Sequence, residues 1–410
     1  LVRQAARRLA GSGDGVVFLD AVTGDPDDVL QGAFECCYES SGYKPTPIEL
    51  RRLLGDLRLC LVVDGLWLPP EGLTRFVDTV SSSAVVLASP QRSLWGHGLA
   101  IELGGLDQAA GIDLLGQTLG RAFQGDEAAR AGALWAACGG NPQELIRVAS
   151  AARAAGASLP LPGEVQMLAP RVAEHLPTAA IDVLRMLAIV PTASAHGDVL
   201  AALAGHEPVG WEGRLPAADL LVDVGLAVAT DGGYRLAHGA HEALGGQLGI
   251  GAQVGEAARR LTAWVSAPGR DPGWVASQAP FIEGVIVAAS AAGQPGEGSH
   301  LARRASPLLL LGLLWGGWSR VLSAGRDAAR RAGDPSTEAY LAHEQGVRSV
   351  LLGQVAGGAA SLGAAAALFN QLGQGGSAAS LHAQALESAA RGGLQGGIGA
   401  SAGSAGGAAA

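Results

Sequence analysis

Three short runs constrain this chain most: "VVFLDA" (16–21), "RLCLVVDG" (58–65) and "SAVVLAS" (83–89). Each is continuously apolar or β-branched. A strand with one wet face would alternate polar and apolar residues, whereas an unbroken run must be covered on both faces. The segments between them, "DPDDVLQGAFECCYES", "PIELRRLLGDL" and "PEGLTRFVDTV", carry helical periodicity, the first with acids in its opening turn. Strands alternating with helices predict a parallel α/β sheet with helices on both faces. Ahead of the first run, "LVRQAARRLA" has Leu1, Ala5 and Leu9 at helical spacing, and "GSGDG" breaks it.

The pattern changes after Leu106. From there to about Ala155 the chain reads as helix throughout. The stretch from Leu168 to Leu244 reads as helices with, near its end, "GLAVATDGGYRLAH" (225–238), two short strands around Asp231-Gly232-Gly233. Helices ahead of a hairpin suggest a winged-helix module. Further on, "WSRVLSAGRDAARRAGD" (318–334) and "GAASLGAAAALFNQLGQ" (358–374) look like copies of one unit. Their closing glycines, Gly333 and Gly373, are 40 residues apart, a spacing typical of helical-hairpin repeats. After Arg391 the chain is Gly, Ala and Ser, which predicts a flexible tail.

Composition excludes several classes. The net charge of −9 over 410 residues argues against a broad nucleic-acid-binding surface. Lys44 is the sole lysine. Cys36, Cys37, Cys60 and Cys138 form no zinc pattern and suit a reducing cytoplasm, with Cys60 read as a small core residue. No signal peptide is visible. The longest apolar run, "PLLLLGLLWGGW" (307–318), is too short and too broken by glycine to span a bilayer.

The second strand ends on Asp64. Ligands of parallel sheets bind beyond the carboxyl ends of the strands. An acid there can hold magnesium against nucleotide phosphates. The plainer reading is that Asp64-Gly65 opens a turn.

The order of parts adds weight to the first: the strand ending in Asp64, a helix, a strand ending "VVLASPQRS", then "IELGGLDQAAGIDLLGQTL" and "CGGNPQELI" (138–146). It resembles the nucleotide-binding region of STAND-class signalling ATPases of the NB-ARC type. The resemblance implies an incomplete parallel-sheet P-loop NTPase core over 1–106, a helical ARC subdomain over 107–160 and a winged helix over 161–245. A helical connector follows over 246–300, then tetratricopeptide-like repeats over 301–392 as in bacterial SARP-type regulators, and the tail over 393–410. It makes Asp64 the Walker B acid and magnesium ligand. Ser89 and Arg92 become sensor-strand residues, Gly140 and Pro142 the turn against adenine, and His238 a reader of nucleotide state. The cofactors implied are ATP or ADP with magnesium.

The departures matter. A P-loop needs Gly-x-x-x-x-Gly-Lys-Ser/Thr, and the sequence has none; by the resemblance it begins just after that loop. Gly65 replaces a second acid, Pro90 stands at the sensor arginine and Gly239 replaces an aspartate beside His238. Poor ATP binding and little hydrolysis are therefore expected of the sequence as given. "HGAHE" (238–242) matches neither zinc-protease order, and "GASAG" (399–403) lies in the tail without the strand and helix a nucleophile elbow needs. Trp315 and Trp318 read as repeat core, and Arg326, Arg330 and Arg331 as a solvated face.

The expected function is a nucleotide-dependent signalling or transcription-regulatory switch. Nucleotide exchange would control domain opening, and the repeats would sense a protein partner. Homo-oligomerisation on activation, contact with DNA only through an output domain outside this sequence, and no membrane contact complete the expectation. The alternative is a non-enzymatic helical-repeat scaffold with a degenerate nucleotide site.

Overall fold

The computed structural model describes residues 2–9, 13–21, 24–40, 42–66, 68–89, 98–154, 158–206, 214–377, 380 and 382–389. It is mostly helical, 65% by residue, with one small three-stranded parallel sheet. Two compact units form, one from residues 1–97 with 265–410 and the other from residues 98–264.

The sheet belongs to the first unit. Its elements are α1 (Val2–Leu9), β1 (Gly15–Asp20), α2 (Pro26–Cys37), α3 (Pro47–Leu54), β2 (Leu59–Asp64), α4 (Pro70–Thr79) and β3 (Ala84–Ala88). The strands lie in the order β1-β2-β3, all parallel. Helices start where the chemistry of their first turns dictates. Asp25 caps α2 by accepting from the Asp27 N–H at 2.9 Å, with Pro26 in the first turn. Thr46 and Glu49 close a capping box on α3.

Successive residues of β2 point to opposite faces, and both faces are covered. Leu61 and Val63 pack with Val29, Leu30 and Phe34 of α2, Leu54 of α3 and Phe76 of α4. Cys60 and Val62 pack with Ala6 of α1. Cys60 is thus the core residue its apolar setting predicted. β3 departs from the expectation of a third fully buried strand: Ala84 and Val86 are exposed, Val86 by 37%. The reason is position, because β3 pairs only with β2 among the described strands. A parallel edge strand without a further neighbour cannot be covered like a central one.

The second unit holds α5 (Gln108–Leu119), α6 (Asp126–Ala137), α7 (Pro142–Ala154), α8 (Leu168–Ala173), α9 (Thr178–Ile189), α10 (Gly197–Ala204) and α11 (Pro216–Asp223). Then come β4 (Ala227–Thr230), β5 (Gly233–Leu236), α12 (Ala240–Leu244) and α13 (Val254–Val265). β4 and β5 are the antiparallel hairpin predicted around Asp231-Gly232, and Tyr234 also bridges to Ala195 ahead of α10.

The first unit resumes with α14 (Pro272–Ser277), α15 (Ala279–Ala291), α16 (Pro295–Leu311), α17 (Trp315–Ala332), α18 (Pro335–Leu351) and α19 (Val355–Gln371). From α15 onward each helix packs on the next, which makes an array. α16 and α18 begin at 295 and 335, and α17 and α19 at 315 and 355, so the 40-residue period seen in the sequence is structural. Each helix of the array is followed by a residue with left-handed backbone: Gly293 (φ 77°), Leu313 (61°), Gly333 (65°), Gly353 (73°) and Gly373 (71°). Glycine adopts that conformation freely, whereas in leucine the Cβ crowds the following carbonyl oxygen. Leu313 is the only non-glycine with positive φ among the described residues.

Trp315 and Trp318 are core residues, as expected; Trp318 is fully buried and donates Nε1–H to Ser306 Oγ at 2.9 Å. On the basic stripe, Arg326 hydrogen-bonds Gln345 and Arg330 pairs with Asp327. The tail over 393–410, including Gly399–Gly403, lies outside the described residues.

Candidate functional site

Asp64 is the last residue of β2, half-buried, with its Cα in register with Asp20 of β1 on one side and Ala88 of β3 on the other. Two acids therefore stand side by side at the carboxyl edge of the sheet. Ser89, half-buried, leaves β3 at that same edge. The backbone there is tightly held: Ala21 donates to the Asp64 carbonyl at 2.8 Å, and Gly65 donates to the Ala88 carbonyl at 2.9 Å. Both sequence readings of Asp64 thus have a physical basis, since the residue opens a turn and places a carboxylate at the edge where parallel sheets bind ligands. Arg92 lies outside the described residues. Asp20 went unremarked in the sequence, although "VVFLD" gives the same signal as "LVVD", an apolar run closed by an acid.

Two carboxylates suit a hard divalent cation that takes its remaining oxygens from phosphate and water. Among the described residues no group of three or more His, Cys, Asp or Glu gathers into an all-protein metal site, and His238, His241 and Glu242 form none. For magnesium the edge therefore fits as a partial ligand set. For the triphosphate the described residues offer no cradle. The one lysine, Lys44, has only 7% of its side chain exposed and donates Nζ–H to the Leu313 carbonyl at 2.8 Å. A shallow pocket lined by Phe34, Tyr38, Tyr43, Arg52 and Leu53 lies at the C-terminal half of α2 and the end of α3. That is the amino edge of the sheet, away from Asp64.

Gly140, Pro142 and His238 lie in the second unit. Gly140 (φ 68°) closes a turn after α6, and a Cβ there would sit 2.4 Å from the Leu106 carbonyl oxygen. Leu106 in turn donates to the Gly140 carbonyl at 2.8 Å and accepts from Trp135 Nε1 at 2.7 Å. The turn therefore has a packing role that by itself requires glycine. Pro142 opens α7, whose Gln143 N–H is capped by Asn141 Oδ1 at 2.9 Å. His238 is exposed and follows β5.

The structure joins Pro142 and His238 through a residue that sequence reasoning missed. Arg147, on α7 and 3% exposed, donates to the His238 carbonyl at 2.9 Å and to the Gly225 carbonyl at 3.4 Å. It also pairs with Glu144 at 3.0 Å. Gln143 Nε2 adds a bond to the Ala227 carbonyl at 3.2 Å. The helix begun by Pro142 is thereby fixed to the hairpin that carries His238. An arginine between Ile146 and Val148, inside an apolar helix face, was the available signal. Beside this corner Cys138 is buried, and burial with the nearby Glu144 charge pushes its thiol up to about 11, which makes it a poor nucleophile.

No protein-family model matches the chain, and the comparison with curated proteins gives no match. Among solved structures the chain is similar to a Signal Transduction ATPase with Numerous Domains (STAND) protein with a tetratricopeptide repeat sensor from Pyrococcus horikoshii. The TM-score is 0.36 at 10% identity, covering 96% of this chain and 80% of that one. No helix among the described residues is long and apolar enough to cross a membrane.

Proposed function

We propose that the chain is part of a nucleotide-dependent signalling switch of the STAND class, with an NB-ARC-type core, a winged helix and tetratricopeptide-like repeats. The observation that supports this is the carboxyl edge of the sheet. There Asp64 closes the buried central strand with Asp20 in register beside it, an arrangement suited to a magnesium ion bridging to phosphates. Magnesium–nucleotide would supply the phosphate charge that distinguishes one state from the other. Asp64 would hold the cation, Ser89 and Arg92 would lie along the sensor strand, and Gly140 and Pro142 would contact the base. His238 would report nucleotide state through the Arg147-bonded turn. The domain limits are those drawn from the sequence: 1–106, 107–160, 161–245, 246–300, 301–392 and 393–410.

This copy would exchange nucleotide more than hydrolyse it, because Gly65 and Gly239 stand where the family carries acids. The repeats would sense a protein partner in the cytoplasm, activation would bring copies together, and DNA would be reached only through a separate output domain. The test is titration of the full chain with ATP and with ADP in the presence of magnesium, beside Asp64→Ala. Magnesium-dependent binding lost in Asp64→Ala is expected; affinity indifferent to Asp64 sinks its role.

A second reading is a non-enzymatic scaffold whose helical array alone binds protein. Gly65 beside Asp64 and Gly239 beside His238, where the family carries acids, favour it. Absence of nucleotide binding together with retained partner binding by the array would decide for the scaffold.

A further inference from the structure

Helix α17 begins without a cap from its own N-terminal residue, for Leu314 at the N-cap provides no side-chain bond. Its first free N–H groups are satisfied from far away. Asp28, on the first turn of α2 and 4% exposed, accepts from the Gly316 N–H through Oδ1 and from the Gly317 N–H through Oδ2, both at 2.9 Å. A carboxylate at that position also meets the positive end of the helix dipole. Around it the charges alternate. Lys44 Nζ lies 4.0 Å from Asp28 Oδ1 and 5.8 Å from the Trp315 ring centroid. Arg348 of α18 donates Nε–H to the Trp315 carbonyl at 2.8 Å. Arg320 of α17 reaches Asp25 at 3.7 Å and Glu283 of α15 at 2.9 Å. Asp27 adds a third acid to the turn, with the Arg75 charge of α4 acting on it. Burial pushes Asp27 and Asp28 up and Lys44 and Arg348 down.

Two further observations show that this junction is special. A Cβ on Gly316 would lie 2.1 Å from Asp25 Cγ, so the Asp25 side chain fills the space that any side chain at position 316 would need. The turn just before it is also the one where the array's left-handed glycine is replaced by Leu313, whose carbonyl Lys44 holds. A leucine does not choose that backbone unaided, so contacts from the α/β part impose it. The junction is short-wired to the sheet edge: Ala21 donates to the Asp64 carbonyl, Gly24 donates to the Ala21 carbonyl at 2.8 Å, and Asp25 follows.

We infer that the acidic first turn of α2 is a latch that holds the helical array on the sheet, and that its release lets the Leu313 turn relax and the array swing free. Occupancy of the Asp64 edge and occupancy of the array by a partner then bias one another through this turn. That coupling rests on the nucleotide-switch reading; the latch itself does not.

The experiment uses the full chain without nucleotide, followed by hydrogen exchange and small-angle X-ray scattering, in wild type and Asp28→Ala. Loss of an acceptor alone speeds exchange only at Gly316 and Gly317. Opening of the latch speeds it at least tenfold across residues 311–318 and across the first turn of α2 together, and enlarges the radius of gyration while circular dichroism keeps the helix content. Faster exchange confined to the two glycine amides, with unchanged scattering, overturns the latch. Should Asp28→Ala fail to fold, Gly316→Ala tests the same hinge with every charge kept, since its methyl displaces Asp25. Titration with magnesium and ADP then reads the coupling, with an affinity change of at least fivefold expected on unlatching. Equal affinities overturn the coupling. Absence of binding in both proteins sinks the switch reading and the coupling with it, while scattering and exchange still decide the latch.

Discussion

The junction of α2 with α17 and the corner of α7 with β5 solve one problem with opposite charges. At each, backbone groups at the end of an element need partners that local sequence does not supply. At α17 the orphans are N–H donors, and a buried carboxylate from 288 residues upstream accepts from them. At Gly225 and His238 the orphans are carbonyls, and buried Arg147, 78 and 91 residues upstream, donates to both. The difference lies in what titrates. A guanidinium keeps its charge across the working range. Asp28 and Lys44 are each pushed by burial toward neutrality. The α7 corner is thus a fixed rivet, and the α2–α17 junction is adjustable.

The largest effect is expected from Lys44→Met. It strands the Asp28 carboxylate without its buried cation, and breaking such a pair typically costs about 3–5 kcal/mol. Urea unfolding at neutral pH measures it, and a loss below about 1 kcal/mol would erase the distinction drawn above. The pH dependence has a definite sign. Burial raises Asp28 above the usual carboxylate value of 3.8. A raised acid stabilises the fold below that unfolded value, and the contribution is lost as pH rises through the folded one. The Lys44→Met deficit should therefore shrink as the pH is lowered from neutral toward 4.

Arg147→Met comes next, at about 2–4 kcal/mol, because two carbonyls lose a donor in a buried place. Its deficit should show less acid recovery than that of Lys44→Met, because the lost carbonyl bonds do not titrate and the Glu144 carboxylate left behind is more open to water than Asp28; parallel pH profiles would break the contrast. Gly316→Ala should cost about 1–3 kcal/mol by overpacking against Asp25. The same change at Gly357 of α19, where a Cβ meets nothing within 4 Å, should instead stabilise, by about 0.5–1 kcal/mol. Thermal unfolding of the two variants side by side tests the pair. Leu313→Gly carries the smallest effect, a gain of about 1 kcal/mol or less from relief of the left-handed leucine. A clear loss in calorimetry would mean that the leucine side chain contributes more than its backbone costs.

Much of the architecture was readable because its signals are local. The three apolar runs are the three parallel strands, Asp231-Gly232 turns the hairpin, and Gly333 and Gly373 close helices one period apart. What escaped is long-range. Asp27 and Asp28 read as acids complementing the dipole of their own helix, yet Asp28 serves another helix entirely. Lys44 carried no hint that it would be buried, because its partners Leu313 and Asp28 come from both sides of it in the chain. The run "SAVVLAS" resembles the central strand in composition, and only its place at the edge leaves Val86 exposed. At the candidate site the same limit applies: Asp64 was visible as a strand terminus, whereas its register with Asp20 is a property of the folded sheet.

The regular spacing of left-handed residues after each helix also bears on how such an array can grow. The boundaries at Gly333, Gly353 and Gly373 all use a left-handed glycine, so a helix pair inserted after α18 would meet a joint of the same kind. At Leu313 the joint is keyed to Lys44 and the acids of α2. Lengthening by whole repeats is therefore easiest beyond α18, whose Arg348 still reaches the Trp315 carbonyl, and α16 to α18 form the fixed foundation on which copies can be stacked.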